Sequence, residues 1–311
     1  MKKILFLMVL LIFVQKFIAD AQQEGKTGNT ISNKLFLQIS SLPEAKIGFN
    51  KRLTFPFLQG ENFLTEDSNI RLDTTAEISP ISINGIAETV WTPIAFLQFA
   101  AGGRIGSGWK SNIFESEIYG IGVNKQNAEG KPEHDGEAFD GLLWKVQTGA
   151  ALQMDLAAIY PGEWHHLLLR SYHEINYKGY TRAAANESWY YENDDGENCN
   201  GFNYYGNLFV GYQMPFFFDL AALLAEADQY LYYTPDRHKW GDDIIRWTFS
   251  CIFNFSINKH IDLTLITQFR TQKNYQESNW QDLYYRNRNI DDSKPLHLEF
   301  YRIVTSLTYK L

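Results

Sequence analysis

The sequence predicts an all-β fold, an antiparallel transmembrane β-barrel of ten to twelve strands. Three observations lead there. Apolar and polar residues alternate with period two over long runs. The connections between those runs alternate between short turns and long polar loops. The chain also opens with an export leader, and nothing after it is apolar for long enough to form a membrane helix.

The leader has three parts: a basic start at Met1-Lys2-Lys3, an unbroken apolar run at Ile4–Val14, and small residues at Ala19-Asp20-Ala21. This layout predicts a signal peptide over residues 1–21, cleaved after Ala21. The apolar run is about half the ~20 residues that a spanning helix requires. Further along, Phe216–Leu224 is short and broken by Asp219. An exported chain without spanning helices is either soluble or a barrel, because only helices and closed barrels satisfy their backbone hydrogen bonds in lipid. Residues 22–311 are read as a single barrel domain.

The whole chain carries a formal net charge of −8. Removing residues 1–21 takes away Lys2, Lys3, Lys16 and Asp20, so the remainder is more acidic still. That balance argues against nucleic acid as a partner, since phosphate binding needs clustered Lys and Arg. Two cysteines, Cys199 in a polar loop and Cys251 on an apolar strand face, make no disulfide framework.

Taken in order, the elements begin with two that leave the strand count open. Glu77–Asn84 shifts its apolar phase across Pro80, which implies a bulge or a turn because Pro cannot donate to a ladder. A bulge, with the first paired strand near Ala45–Phe57, gives ten strands. A turn, with Leu35–Ser40 also paired, gives twelve. Leu142–Ala158 then alternates cleanly, with Leu142, Trp144, Val146, Ala150, Leu152, Met154 and Leu156 on one face. After a turn at Tyr160–Glu163, Leu167, Leu169, Ile175 and Tyr177 oppose Arg170, Glu174, Asn176 and Lys178. Phe218–Tyr233 is rich in Ala and Leu but is read as a strand, because both neighbours need a partner there. Arg246–Ile257 places Trp247, Phe249, Cys251, Phe253, Phe255 and Ile257 on one face. Asn258-Lys259 turns it into His260–Arg270, a tight hairpin.

Short turns fall near Thr92-Pro93, Tyr160–Glu163, Met214-Pro215 and Asn258-Lys259. Long loops fall near Ser107–Ala138, Arg182–Asn200, Thr234–Asp243 and Asn274–Lys294. Short turns on one rim and long loops on the other is the layout of bilayer-spanning barrels. The charges orient the wall. Lys145, Asp155, Arg170, Glu174, Arg246, Asp262, Arg270 and Arg302 lie on the polar phase and are expected to line the lumen. Facing lipid, the Arg and Lys would each cost ~2–4 kcal/mol near the midplane.

The last strand, Tyr301–Leu311, resembles the C-terminal signal of Gram-negative outer-membrane proteins, with an aromatic third from the end at Tyr309. Leu311 departs from the Phe that usually ends that pattern. The resemblance implies an outer-membrane location, contact with outer-membrane lipid, and recognition by the barrel-assembly machinery. The whole chain looks like one of the uncharacterised outer-membrane barrels of diderm bacteria, spirochaete-type barrels among them, with no subfamily attached.

The function expected first is passive: a narrow channel for small solutes or ions, or a structural, surface-interaction barrel. No cofactor or metal is called for. The alternative is a surface hydrolase. Asp236-Arg237-His238 and Asp242-Asp243, with Asp194-Asp195 in another loop, resemble the acid pairs and Asp–His pair of omptin proteases, without their tryptophan-rich context. An acid pair with a histidine can activate water, so Asp236, His238, Asp242 and Asp243 would carry that activity. Outer-membrane phospholipases use a serine two residues after a histidine, and His173-Glu174-Ile175 lacks one. Glu192–Asn198 offers oxygen ligands of the kind calcium prefers, but Tyr191 falls at the first ligand position of an EF-hand alignment. An acidic, hydrated loop is expected there.

Overall fold

The protein was analysed as a computed structural model that describes residues 28–42, 44–113, 116–135, 137–192, 194, 196–232, 234 and 238–311. The expected signal peptide lies outside the described residues. Twelve strands build the wall: β1 Thr30–Ser40, β2 Ala45–Pro56, β3 Asn69–Ile78, β4 Ser82–Ile94, β5 Leu97–Gly108, β6 Leu143–Asp155, β7 Leu167–Tyr180, β8 Gly201–Gln213, β9 Phe218–Tyr230, β10 Arg246–Asn258, β11 Ile261–Lys273 and β12 Leu296–Lys310. Each pairs antiparallel with its neighbours in the chain, and β1 closes on β12 from Lys34↔Lys310 to Ser40↔Val304. The result is a closed barrel with no free edge.

Twelve follows from Pro80. Ser79 donates its N–H to the Ser82 carbonyl at 2.9 Å, so Pro80 sits in a tight turn between β3 and β4 and not in a bulge. β1 is fully paired, as that count requires. At Thr92-Pro93 the expected turn is displaced. Both residues stay in β4, where the register slips between Trp91 and Ile94, and the chain reverses at 95–96.

Alternation puts bulky apolar groups outside. On β10, Trp247 and Phe253 are 38% and 39% exposed, whereas Ser250 between them is 2% exposed. Ile105, Val146, Leu208, Leu223, Phe269, Phe300 and Leu307 continue this exposed apolar belt around the wall. A belt of that kind closed on itself is the wall of a bilayer-spanning barrel. Aromatic groups cluster at its margins, with Trp164 beside Phe216 near one rim and Trp144 stacked on Tyr177 towards the other.

The rims differ. The start of β1 and the end of β12 share one rim with the turns 95–96, 214–217 and 259–260 and the connections 57–68 and 156–166. The opposite rim carries the connections 109–142, 181–200, 231–245 and 274–295. These loops have structure of their own. Trp189–Tyr191 pairs with Ile121–Gln126, which pairs with Pro132–Asp135. Trp189 is wholly buried there with Ile121, Val123, Leu143 and Tyr180.

Asp155 departs from its expected place in the lumen wall. β6 ends at Asp155, which caps a single 3-10 turn at Leu156–Ala158 by accepting the Ala157 N–H at 3.0 Å. Its other oxygen meets His166 Nδ1 at 2.7 Å, on the short-turn rim. An aspartate that can cap a turn ends a strand early, which periodicity alone does not register.

Candidate functional site

The inward phase of the wall holds charges of both signs, and they pair. Lys145 Nζ lies 2.6 Å from Glu174, which also accepts from Tyr172 Oη and Asn176 Nδ2, each at 2.9 Å. Arg270 meets Glu299 at 2.8 Å, and Lys310 meets Asp262 at 2.6 Å. Arg302 is held between Glu44 and Gln268. Arginines also lie on rings, among them Arg170 over Tyr172 at 4.9 Å and Arg246 over Tyr230 at 4.4 Å. Such pairing is what a poorly hydrated interior requires, because a lone buried charge is costly.

Of the residues singled out from the sequence, Arg170 and Glu174 come together around Tyr172, and Arg270 and Arg302 both stack on Tyr301. Asp262 lies apart from these on the short-turn side. Sequence reasoning missed Lys46, Glu77 and Arg104, a triad in which both cations stand 3.2 Å from Glu77. They follow the same alternating phase, but Glu77 lies beside the Pro80 irregularity that obscured it. Lower in the barrel, Val90, Ala100, Ala151 and Tyr172 pack together with Tyr205 beside them, leaving a cavity of about 150 Å³.

Loop 181–200 reaches into the mouth of the barrel. Of its acids, Asp194 is exposed as an acidic, hydrated loop would have it, whereas Glu192 is half-buried and Glu197 buried. Glu192 accepts from Ser82 Oγ at 2.5 Å and stands 3.6 Å from Lys46 and 4.0 Å from Arg104. Five residues on, Glu197 meets Lys273 at 2.6 Å and Tyr275 Oη at 3.3 Å. The partners of Glu192 lie on β2, β4 and β5 and Lys273 on β11, three to six strands away in a ring of twelve, so the loop is tied to separate parts of the wall. Trp189 and Asn198 pair antiparallel at the neck of this segment, and Asp194 Oδ1 accepts from the Tyr191 and Gly196 N–H groups, so Glu192 and Glu197 leave a compact turn in different directions. Asn198 is fixed by Lys178, and Tyr191 Oη donates to Asn84. Beside the loop a polar cavity of about 490 Å³ remains, bordered by Lys46, Glu44, Tyr191, Asn198, Gln268 and Arg302.

Glu197 and Lys273 are both nearly excluded from solvent. Burial alone would push the Glu197 carboxyl up, but Lys273, Arg246 and Arg288 together outweigh it and hold the carboxyl below its ordinary range. Asp194 is crowded deep in the mouth and pushed up to about 6 by burial, against the pull of Lys178. Its residue is nevertheless open to the water of the mouth, so solvent screening leaves it little weight in stability.

The residues of the hydrolase alternative sit in loop 231–245. His238 Nδ1 pairs with Asp243 at the surface. Asp242 is buried and turned to the loop's own shape: it accepts from Thr234 Oγ1 at 2.9 Å and from the His238 N–H at 2.8 Å, holding His238 at a φ of +73°. Asp236 and Asp195 lie outside the described residues. Cys199 and Cys251 are both free, with Cys199 buried and its thiol pushed up to about 11 by burial.

No protein-family model matches the sequence, and no curated protein matches it. Among solved structures, the chain is similar to the KdgM porin, with 8% identity and a TM-score of 0.36 over 90% of this chain and 99% of that one. It is similar to the NanC porin at 7% identity and a TM-score of 0.38, over 91% and 100%. It is also similar to the β domain of the Bordetella autotransporter BrkA at 9% identity and a TM-score of 0.39, over 90% and 98%. The barrel itself stands on its own closed ladder.

Proposed function

We propose that the protein is an outer-membrane channel of narrow bore held shut by loop 181–200, passing small solutes or ions only when that loop yields. The observation that carries this reading is the pair of anchors: Glu192 is held by Ser82 and Lys46 on β4 and β2, and Glu197 by Lys273 on β11. The filled lower lumen supports it, since twelve strands enclose far less space than the 16–18 strands of porins with open aqueous channels. In this reading the signal peptide is removed after Ala21, the long loops face outward from the cell, and Tyr301–Leu311 engages the barrel-assembly machinery. Lys145, Arg170, Glu174, Arg246, Asp262, Arg270 and Arg302 then set what little ion selectivity the passage has.

The test is conductance in planar bilayers. The expected record is little or no steady current, with small, salt-dependent events. A large, stable conductance from the unaltered protein would overturn the closed reading. The membrane placement is checked separately with single cysteines in a cysteine-free background. Position 253 should meet a lipid-soluble quencher and position 250 should not.

A further inference from the structure

The outer face of the wall carries a polar cluster on β7 and β8 within its apolar belt. On β7 the outward side chains run Leu167, Leu169, Ser171, His173, Ile175 and Tyr177. Ser171 and His173 therefore stand roughly 10–15 Å from either margin of the belt, at about 2.5 Å of height per residue of tilted strand. Ser171 Oγ is 3.1 Å from His173 Nε2, and His173 Nδ1 is 2.7 Å from Tyr204 Oη on β8. His173 is exposed. The tyrosine reaches the imidazole by lying across Gly206, where a Cβ would stand 2.5 Å from its hydroxyl, and the two rings stack at 29°.

The hydrogen bonds of this triad do not close. With the proton on Nδ1, that N–H donates to Tyr204 and Ser171 donates to Nε2, which leaves the tyrosine O–H as an unused donor and the serine oxygen as a free acceptor. With the proton on Nε2, the roles reverse. Either neutral tautomer leaves one hydroxyl donor and one hydroxyl acceptor at opposite ends of the triad. In hydrocarbon an unmet donor costs several kcal/mol, and acyl chains offer it no acceptor. Nor does the site suit a serine nucleophile. Ser171 sits inside a continuous sheet, laddered to Leu152 and Leu208, so no free backbone N–H is aimed where an oxyanion would form.

We propose that this face is where two copies of the protein pair within the membrane, Tyr204 of each hydrogen-bonding to Ser171 of the other in the first tautomer and the converse in the second. A second copy supplies the missing acceptor and the missing donor together, and a two-fold axis along the membrane normal makes the two bonds identical. Ala150 on β6 and Ala225 on β9 lie outward beside the triad and permit the close approach that packing between membrane walls needs.

The experiment measures the oligomeric state of the full chain in detergent and in bilayers, by sedimentation and by single-molecule photobleaching, with heat-modifiable gel mobility confirming that each variant is a folded barrel. The unaltered protein should dimerise. Tyr204→Phe and Ser171→Ala, which remove one hydroxyl each, should weaken the dimer roughly three- to ten-fold. Leu37→Val on β1, exposed and six strands from β7 in the ring of twelve, should leave it unchanged. Leu208→Cys in a Cys251→Ala background should give disulfide-linked dimers of this chain. A monomer at all concentrations, a dimer indifferent to both hydroxyl deletions, or cross-linking only to a different protein would each overturn the proposal.

Discussion

Loops 181–200 and 231–245 sit on the same rim and look alike in sequence, both acidic, polar and aromatic-bearing. They end up doing opposite things. In the first, Glu192 and Glu197 leave their own loop and bind cations on separate strands of the wall, Lys46 on β2 and Lys273 on β11. In the second, the buried Asp242 bonds to Thr234 and the His238 N–H of its own loop, and His238 with Asp243 faces solvent. An acidic residue becomes a latch when the chain presents it to a cation across the lumen. Without such a partner it remains a solvated charge or a local cap. Loop composition does not distinguish the two cases; reach does.

The sharpest way to break the comparison is Glu197→Ala. It leaves Lys273 buried without its carboxylate, a loss on the order of 3–5 kcal/mol from the closed arrangement. Sustained conductance should appear, and a protease should cut loop 181–200 in folded protein. Replacing the pair together, Glu197→Leu with Lys273→Met, should restore most of the closure, since a matched apolar pair leaves no stranded charge. Unchanged current and unchanged cleavage in the single variant would mean that the latch is not held by this pair.

A smaller effect is expected below the mouth. Arg246→Ala combined with Arg270→Ala removes two large cations and leaves Glu299 and the neighbouring Asp228 facing the passage. Any residual conductance should rise and its reversal potential should shift towards cation preference. Acidification should act on the latch as well. The Glu197 carboxyl sits below its ordinary value when the loop is closed, so its contribution is complete above the ordinary value of 4.5 and fades as pH falls through the closed-state value. Single-channel events should become more frequent below about pH 4.5, and Glu197→Gln should lose that dependence. The smallest effect belongs to the other loop. His238→Asn should change stability by under about 1 kcal/mol and conductance not at all, as for an exposed ion pair. Loss of a hydrolytic activity in that variant would instead revive the rim hydrolase.

The wall was legible in the sequence because period two is a local signal. Trp247 and Ser250 declare their faces without reference to anything distant. Even β9, rich in Ala and Leu, follows from its neighbours' need for a partner. Where the signal was local but ambiguous, at Pro80 and Asp155, the outcome turned on single hydrogen bonds that the pattern does not encode. The latch was not legible at all, because Glu197 and Lys273 are far apart in the chain and meet only once the barrel has closed. The Ser171 cluster was overlooked for a simpler reason. The phospholipase pattern places the serine after the histidine, and Ser171 lies two residues before His173.

The seam between β1 and β12 has its own consequence for how the molecule comes into being. Every other ladder of the wall joins neighbours in the chain and can form as the chain emerges, but this one joins its two ends. Until β12 arrives, the growing sheet has two raw edges, open to pairing with any other strand it meets. Assembly is therefore a race in which the last step, the one with the longest loop to close, removes the hazard that all the earlier steps created. A chain shortened by its final strand would retain most of its ladders yet remain a sticky sheet rather than become a smaller barrel.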